Sequence, residues 1–187
     1  MLNIPHLDDI MNWNAEVVHV KKCKLVIASD AHGYIEGFDR IRQMEPDGDF
    51  FLDLGDNFCG EMPTEEFLKT WCSVRGNNDY YRFPKVRNFD IFHKHVRMIH
   101  GEDMLWVYPT YKEMVNYMNF DGVDILLLGH THRRAYVEEK GKIIINPGSF
   151  SRSREYDLHE KGLGSYCVLT IYEDGTTEHE FKTLKKE

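Results

Sequence analysis

Six short apolar segments of the chain each end in a turn that carries Gly together with Asp, Asn or His. They are KLVIAS before Asp30-Ala31-His32-Gly33, DFFLDL before Gly55-Asp56-Asn57, WCSVR before Gly76-Asn77-Asn78-Asp79, VRMI before His100-Gly101, DILLL before Gly129-His130-Thr131-His132, and KIII before Asn146-Pro147-Gly148-Ser149. Short β-prone runs bounded by such turns predict strands. Because α/β sheets bind ligands at the carboxyl ends of their strands, this placement predicts one site assembled from many strand ends.

The segments between and after these strands complete the expected fold. Helices are predicted over Glu36 to Met44, Thr64 to about Trp71 with Thr64 as N-cap, and Thr110 to about Asn119. A hairpin is predicted from Ala135–Glu139 and Lys142–Ile145 around Gly141, and a late β pair over Ser165 to Lys182. The pattern predicts an α/β fold in which two mixed sheets pack together with helices outside.

The length of 187 residues suits a single domain over residues 1–187, with residues 1–22 as an N-terminal extension that serves packing or an oligomer contact. The extension lacks the basic and apolar regions of a signal peptide, and no apolar run reaches the length of a membrane span. The expected location is therefore the cytoplasm. Cys23, Cys59, Cys72 and Cys167 have no metal-binding spacing and are expected as reduced thiols, most of them in the core.

The charge balance limits the partners of the chain. Lys and Arg number 23 against 31 Asp and Glu, which gives a net charge of -8. A general binder of nucleic acids or of anionic membranes needs a cationic face, so both classes are disfavoured. A small anionic substrate stays compatible with this charge if metal ions reverse its sign locally.

The strand-end side chains form a set of metal ligands. They comprise two carboxylates, one amide and four imidazoles: Asp30, Asp56, Asn77, His32, His100, His130 and His132. Oxygen and imidazole ligands without thiolate suit Mn, which we favour, and also Ni, Zn, Fe, Co or Mg. Seven ligands are too many for one transition metal, so the set predicts two divalent ions. Such a pair activates a bridging water and clamps phosphoryl oxygens, which favours phosphate-ester hydrolysis.

The six motifs, in this order and each after a strand, resemble those of the calcineurin-like metallophosphoesterases. The resemblance runs from Lys24 to the C-terminus and is closest to the small single-domain phosphodiesterase branch, which also contains the retromer scaffold subunit. It implies a four-layer αββα sandwich. It also implies one ion on Asp30, His32, Asp56 and His132, and a second on Asp56, Asn77, His100 and His130. A hydroxide that bridges the ions would attack phosphorus in line, and Asp56, Asn77, Asn78 and His100 are the implied catalytic residues.

Two positions depart from the pattern of the family. Asn78 stands where the larger phosphatases carry a His that acts as general acid, and an amide cannot donate a proton at neutral pH. This departure favours diesters or other esters with good leaving groups, with Asn78 left to hydrogen-bond a phosphate oxygen. Glu102 stands where relatives often have a second His; orientation of a ligand, repulsion of an extra anion and simple solvation all stay open.

Three further residues are candidates near the site. Arg152 and Arg154 follow the Asn-Pro-Gly-Ser turn in SRSREYDLHEKG, where they either bind substrate phosphate or belong to a solvated loop. Asp79 is expected to fix its turn or to support a ligand.

These residues predict a dinuclear phosphodiesterase that acts on a small phosphate ester. The alternatives are a protein-interaction scaffold with an idle site and a phosphomonoesterase or nucleotide hydrolase; the intact ligand set argues against the scaffold.

Overall fold

The computed structural model describes residues 22–58 and 60–185 of the chain. Its strands are β1 (Lys22–Ala28), β2 (Phe50–Asp53), β3 (Trp71–Ser73), β4 (Val86–Ile91), β5 (Lys94–Ile99), β6 (Ile125–Leu128), β7 (Arg134–Glu139), β8 (Lys142–Pro147), β9 (Leu163–Tyr172) and β10 (Thr177–Lys185). Its helices are α1 (Glu36–Met44), α2 (Glu65–Thr70), α3 (Glu102–Val107), α4 (Tyr111–Asp121) and α5 (Tyr156–Glu160).

The strands form two five-stranded mixed sheets. The first has the order β10-β9-β1-β2-β3 and the second the order β4-β5-β6-β8-β7. In the first sheet β1, β2 and β3 are parallel, and in the second β5, β6 and β8 are parallel. These six strands are the six apolar segments predicted from the sequence. Because parallel strands end at the same edge of a sheet, each sheet brings three of the polar turns together.

The two sheets pack face to face on one apolar core. Along β1, Leu25 and Ile27 point into the space between the sheets, whereas Val26 and Ala28 point to the outer face. This alternation follows from the two-residue period of extended backbone. From Leu25 to Ala28 the strand is apolar at every position because both of its faces are buried there.

Helices cover the outer face of each sheet. On the first sheet, Phe38 and Ile41 of α1 pack against Val26, and on the second, Met114 and Met118 of α4 are buried in the cluster that includes strand β6. The predicted four-layer αββα sandwich is therefore confirmed.

Capping residues determine where two helices begin. The Thr64 side chain accepts a hydrogen bond from the Phe67 amide, and Thr110 forms a capping box with Glu113. The predicted bounds need one correction: Trp71 begins β3 rather than ending a helix. The predicted hairpin is β7 and β8, joined by Lys140 and Gly141, both with positive φ.

Several predictions concern thiols, membranes and the N-terminal residues. Burial raises the pKa of the Cys23 and Cys167 thiols to about 12, which fits their expected role as core residues. Cys59 and residues 1–21 of the predicted extension lie outside the described residues, and Lys22 already belongs to β1. Among the helices described, none has the length and apolar character needed to cross a bilayer.

Candidate metal centre

The candidate ligands follow strand ends on unusual backbone. Five of them have positive φ: Asp30 (59°), His32 (45°), Asp56 (62°), His130 (67°) and His132 (58°). Residues other than Gly rarely adopt this left-handed backbone conformation. Where they do, the surrounding structure enforces the conformation, often at functional sites. The shared conformation therefore marks these turns as a site before any ligand is considered.

The first group of candidate ligands consists of Asp30, His32 and His132. Their ligand atoms all lie within 4.8 Å of one another. His132 Nε2 lies 3.2 Å from Asp30 Oδ1 and 3.1 Å from His32 Nε2. Two imidazoles and a carboxylate thus converge on one point, as a bound cation would require.

The hydrogen bonding of the Asp30 carboxylate indicates which kind of ligand the first group can bind. Its Oδ2 accepts hydrogen bonds from Ser29 Oγ at 2.7 Å and from the His130 amide at 3.0 Å, but the buried Oδ1 has no hydrogen-bond partner. A buried carboxylate oxygen without a donor is costly. A divalent ion beside Oδ1 removes this cost, so the residues present fit a metal.

The second group consists of Asp56, His100 and His130. Its ligand atoms also lie within 4.8 Å of one another. His100 Nε2 lies 3.3 Å from Asp56 Oδ2 and 3.3 Å from His130 Nδ1. The structure therefore separates the six charged or imidazole candidates into two neighbouring groups of three.

Backbone carbonyls orient two of the imidazoles. His100 Nδ1 lies 2.8 Å from the Leu54 carbonyl oxygen, and His132 Nδ1 lies 2.8 Å from the Arg152 carbonyl oxygen. A carbonyl can only accept, so in both rings Nδ1 carries a proton and Nε2 is the nitrogen that faces the site. Metal-binding histidines in proteins commonly have this arrangement.

Electrostatics hold Asp56 ionised. Burial opposes its ionisation, but hydrogen bonding and the charge of His100, together with donors from Asn78, outweigh burial and leave the pKa of Asp56 well below its usual range. Burial likewise opposes the charge of His100, but Asp56 and Asp30 raise the pKa of His100 to about 9. An ion at this position therefore competes with a proton on His100.

Asp79 organises the turn that carries Asp56. Its Oδ2 accepts from the amides of Asp56 at 2.7 Å and Gly76 at 2.9 Å, and its Oδ1 accepts from the amides of Asn57 at 2.9 Å and Phe58 at 3.3 Å. One carboxylate thus joins the second and third motifs. This contact set fits the expectation that Asp79 fixes its turn and supports a ligand.

Gly76 allows those motifs to approach closely. A Cβ at this position would lie 2.1 Å from Asp56 Oδ1 and 2.4 Å from the Asp56 amide nitrogen. Such distances are far inside van der Waals contact, so residue 76 must be Gly for Asp56 to occupy its place.

The Asn-Pro-Gly-Ser motif supports the ligands from behind. Asn146 Nδ2 donates to the Gly129 carbonyl at 2.6 Å and to Thr131 Oγ1 at 3.1 Å, and Ser149 Oγ donates to the Asp30 carbonyl at 2.7 Å. These bonds connect β8 to the turns after β1 and β6.

Sequence reasoning missed a buried acid beneath the site. Asp53 Oδ1 accepts from Asn57 Nδ2 at 2.6 Å and from the Gly55 amide at 3.0 Å. Burial and the nearby charge of Asp79 raise the pKa of Asp53 to about 7. An Asp inside the apolar run DFFLDL was the signal that could have identified it.

Replacement of Asp53 by Asn is expected to stabilise the metal-free protein at high pH. The pKa of Asp53 rises from 3.8 to about 7 on folding, so the acid favours the folded state below pH 3.8 and loses that contribution as the pH rises through 7. Asn keeps the acceptor oxygen without the charge. Urea unfolding measures the free energy of unfolding of Asp53→Asn relative to the wild type. We expect this difference to grow in favour of the variant from pH 4 to pH 7, and to reach up to about 4 kcal/mol above pH 7. A difference that does not vary with pH would contradict this.

A cavity of about 490 Å³ opens over both groups. Its lining includes His32, Asp56, His130 and His132 from the groups, Asn77, Asn78 and Tyr80 from the third motif and the residue that follows it, and Arg152 and Arg154 from the loop after the Asn-Pro-Gly-Ser turn. We call it the site cavity. Sequence reasoning missed Tyr80, because an aromatic residue after a turn carries no signal of its own.

The two amides of the third motif differ in their contacts. Asn77 is exposed at the site cavity. Asn78 contacts Asp56 through its backbone and through its side chain: the backbone amide lies 2.7 Å from Oδ1, and Nδ2 lies 2.5 Å from Oδ2. Asn78 is therefore a donor beside the candidate ligands.

Glu102 contacts the lysine that precedes β4. It begins α3, and its Oε1 lies 3.7 Å from Lys85 Nζ. Orientation of a ligand, repulsion of an extra anion and solvation were the three interpretations of the sequence, and a loose contact with a half-exposed lysine fits solvation best.

Comparisons with known proteins decide the family. The model of the calcineurin-like phosphoesterase superfamily domain matches residues 23–174. The chain belongs to this superfamily. It is 28% identical over 165 residues to the probable metallophosphoesterase YsnB of Bacillus subtilis, a match that covers 82% of this chain and 87% of YsnB.

Two solved structures illustrate which proteins have a fold similar to that of this chain. An archaeal phosphodiesterase superposes with a TM-score of 0.62 at 19% identity, covering 85% of this chain and 99% of the other. Vps29 of Entamoeba histolytica, solved with Zn²⁺, superposes with a TM-score of 0.61 at 19% identity, covering 86% of this chain and 98% of the other. At such identities the likeness establishes the fold alone.

Proposed function

We propose that this metallophosphoesterase is a dinuclear phosphodiesterase of small phosphate esters. The observation that carries the proposal is the pair of three-residue groups that face one cavity, with Asp30 Oδ1 buried and unpartnered in the first. A cavity of about 490 Å³ has the size of a small-molecule site. We expect the protein to act in the cytoplasm and to have no general affinity for nucleic acids. We assign a homo-oligomer contact to the N-terminal segment.

The ligand sets follow from the two groups. Asp30, His32 and His132 would hold one ion, and His100 and His130 the other, with Asp56 between them and the Asn77 amide oxygen as an additional ligand. Manganese is our first choice, since oxygen and imidazole ligands suit it, with Ni, Zn, Fe, Co and Mg as the other candidates. Bound ions of this kind supply an activated water and neutralise charge on phosphoryl oxygens.

The residues of the chain position the substrate around these ligands. Asn78 donates its backbone N–H and one side-chain N–H to Asp56, so the second hydrogen of Nδ2 is the one left to donate to a phosphate oxygen. Asp79 keeps the Asp56 turn rigid through its four amide contacts. Arg152 and Arg154 line the cavity and can grip further phosphate oxygens.

The preference for diesters rests on the leaving group. Asn78 cannot donate a proton at neutral pH, and the histidines of the cavity, His32, His130 and His132, belong to the candidate ligand groups. Substrates whose leaving group departs without protonation are therefore favoured. An archaeal protein of the same fold is named as a phosphodiesterase, so the fold itself is compatible with this reaction.

The proposal is tested by comparing bis(4-nitrophenyl) phosphate with 4-nitrophenyl phosphate. Protein stripped of metal is reconstituted separately with Mn, Ni, Zn and Mg, and release of nitrophenolate is followed. We expect metal-dependent turnover with a higher kcat/KM for the diester. Higher turnover of the monoester would show a monoesterase instead of a diesterase. No turnover despite bound metal would favour the protein-interaction scaffold, the alternative named from the sequence.

Asn78→His is expected to speed the hydrolysis of diesters with poor leaving groups. A histidine can hold the proton that an amide cannot, and general acids contribute large factors to such steps, so we expect a gain of about tenfold or more on diphenyl phosphate relative to bis(4-nitrophenyl) phosphate. Asn78→Gln keeps the amide and serves as the control. An unchanged ratio of the two rates in Asn78→His would mean that another group already supplies the proton.

A further inference from the structure

The loop from Ser151 to Arg154 separates the site cavity from another cavity. This outer cavity, of about 740 Å³, is lined by Ser151, Arg152, Ser153, Arg154, His159 and Gly162 among others. His132, Arg152 and Arg154 line both cavities. A ligand at the candidate metal centre can therefore extend past the two arginines into the outer cavity.

Both arginines keep their charge available. Arg152 and Arg154 are exposed, and the nearest carboxylates of their loop are committed elsewhere. Glu155 binds Arg134 through contacts of 2.6 Å at Nη2 and 2.9 Å at Nε, and Asp157 lies 3.8 Å from Arg134 Nη2. Within the described residues, no ion pair neutralises Arg152 or Arg154, although the whole chain carries a net charge of -8.

The backbone that carries the arginines is held beside the candidate ligands. The Arg152 carbonyl accepts from His132 Nδ1 at 2.8 Å, and the Arg154 amide donates to the His132 carbonyl at 3.0 Å. The Arg152 amide donates to Ser149 Oγ at 2.8 Å. Because the loop is anchored, its guanidinium groups bind an anion without first ordering the backbone.

We propose that the outer cavity is a subsite for a second phosphate group of the substrate, gripped by Arg152 and Arg154. The inference rests on the proposed function and names its substrate class: phosphodiesters that also carry a phosphomonoester group. A diester contributes one negative charge, which the metal centre can balance, whereas a terminal phosphate adds about two more at neutral pH. Two free guanidinium groups match that charge and its oxygen geometry.

A matched pair of substrates tests the subsite. Thymidine 5′-(4-nitrophenyl phosphate) has one diester, and its 3′-phosphorylated form adds a single phosphate while the leaving group stays the same. For the metal-reconstituted protein we expect kcat/KM to be about tenfold or more higher for the 3′-phosphorylated form. Equal values would overturn the subsite.

Variants assign the preference to the two arginines. In Arg152→Gln/Arg154→Gln we expect the preference for the 3′-phosphate to fall to about twofold or less. Arg133→Gln removes the same charge from an exposed position that lines neither cavity, so the preference is expected to persist there. A preference that survives in the double variant would overturn the assignment.

Binding distinguishes failure of the subsite from failure of the proposed function. Calorimetry of the metal-loaded protein compares thymidine 3′,5′-bisphosphate with thymidine 5′-monophosphate and needs no turnover. Tighter binding of the bisphosphate that depends on Arg152 and Arg154, without hydrolysis of either ester, would keep the subsite and reject the diesterase. Hydrolysis of both esters without any preference would keep the diesterase and reject the subsite.

Discussion

Asp56→Asn is expected to abolish hydrolysis and to lower the metal content of the protein together. Asp56 lies beside His100, with Oδ2 at 3.3 Å from Nε2, and is the candidate bridge between the two ligand groups. An amide retains the shape of the side chain but removes the negative charge that both ions would share. We expect kcat/KM to fall by about a thousandfold or more, and bound metal to fall below two ions per chain.

Asp39→Asn is the matched control for this experiment. Asp39 is exposed on α1, and the same substitution there removes the same charge away from the site. Bound metal, measured by atomic emission on dialysed protein, and turnover are expected to match the wild-type values. Retained activity in Asp56→Asn, with the control unchanged, would contradict the two-metal account.

Asp79→Asn is expected to destabilise the protein and to reduce its metal affinity. The Asp79 carboxylate accepts four backbone N–H groups, two on each oxygen, and an amide would replace one acceptor by a donor that opposes two of them. Hydrogen bonds to a charged group contribute about 1.5–3 kcal/mol each, so we expect a loss of about 3 kcal/mol or more in the free energy of unfolding.

Urea unfolding of the metal-free Asp79→Asn protein measures this loss directly, with Asp39→Asn again as the control. A metal titration of the same variant then tests the coupling to the site. A change in stability below about 0.5 kcal/mol would mean that the turn does not depend on this carboxylate.

The strands that build the site could be predicted because each combines an apolar run with a turn of distinctive composition. Two helices could be located because Thr64 and Thr110 cap them. Three other elements could not be predicted. Helix α3 has six residues and buries none of them, so it lacks a periodic apolar face. Similarly, α5 has five residues, and the less exposed face of β4 consists of Arg87, Phe89 and Ile91, so a charged residue interrupts its apolar pattern in the sequence.

The polar groups around the ligands depend on contacts between distant parts of the chain. Asp53 looks like a strand residue in the sequence, and only the fold places it beneath the site beside Asn57. The sequence also contains several arginines near the last two motifs. The pairing of Arg134 with Glu155 determines which of them stay free, and this pairing joins β7 to a loop 21 residues away.

A metal titration that follows turnover tests the central claim most directly. Manganese is added stepwise to metal-free protein, and bound metal and hydrolysis of bis(4-nitrophenyl) phosphate are measured on the same samples. The two ligand groups predict that turnover stays low at one bound ion per chain and rises as the second ion binds. Full turnover with one bound ion per chain, or no turnover with two, would contradict a dinuclear phosphodiesterase.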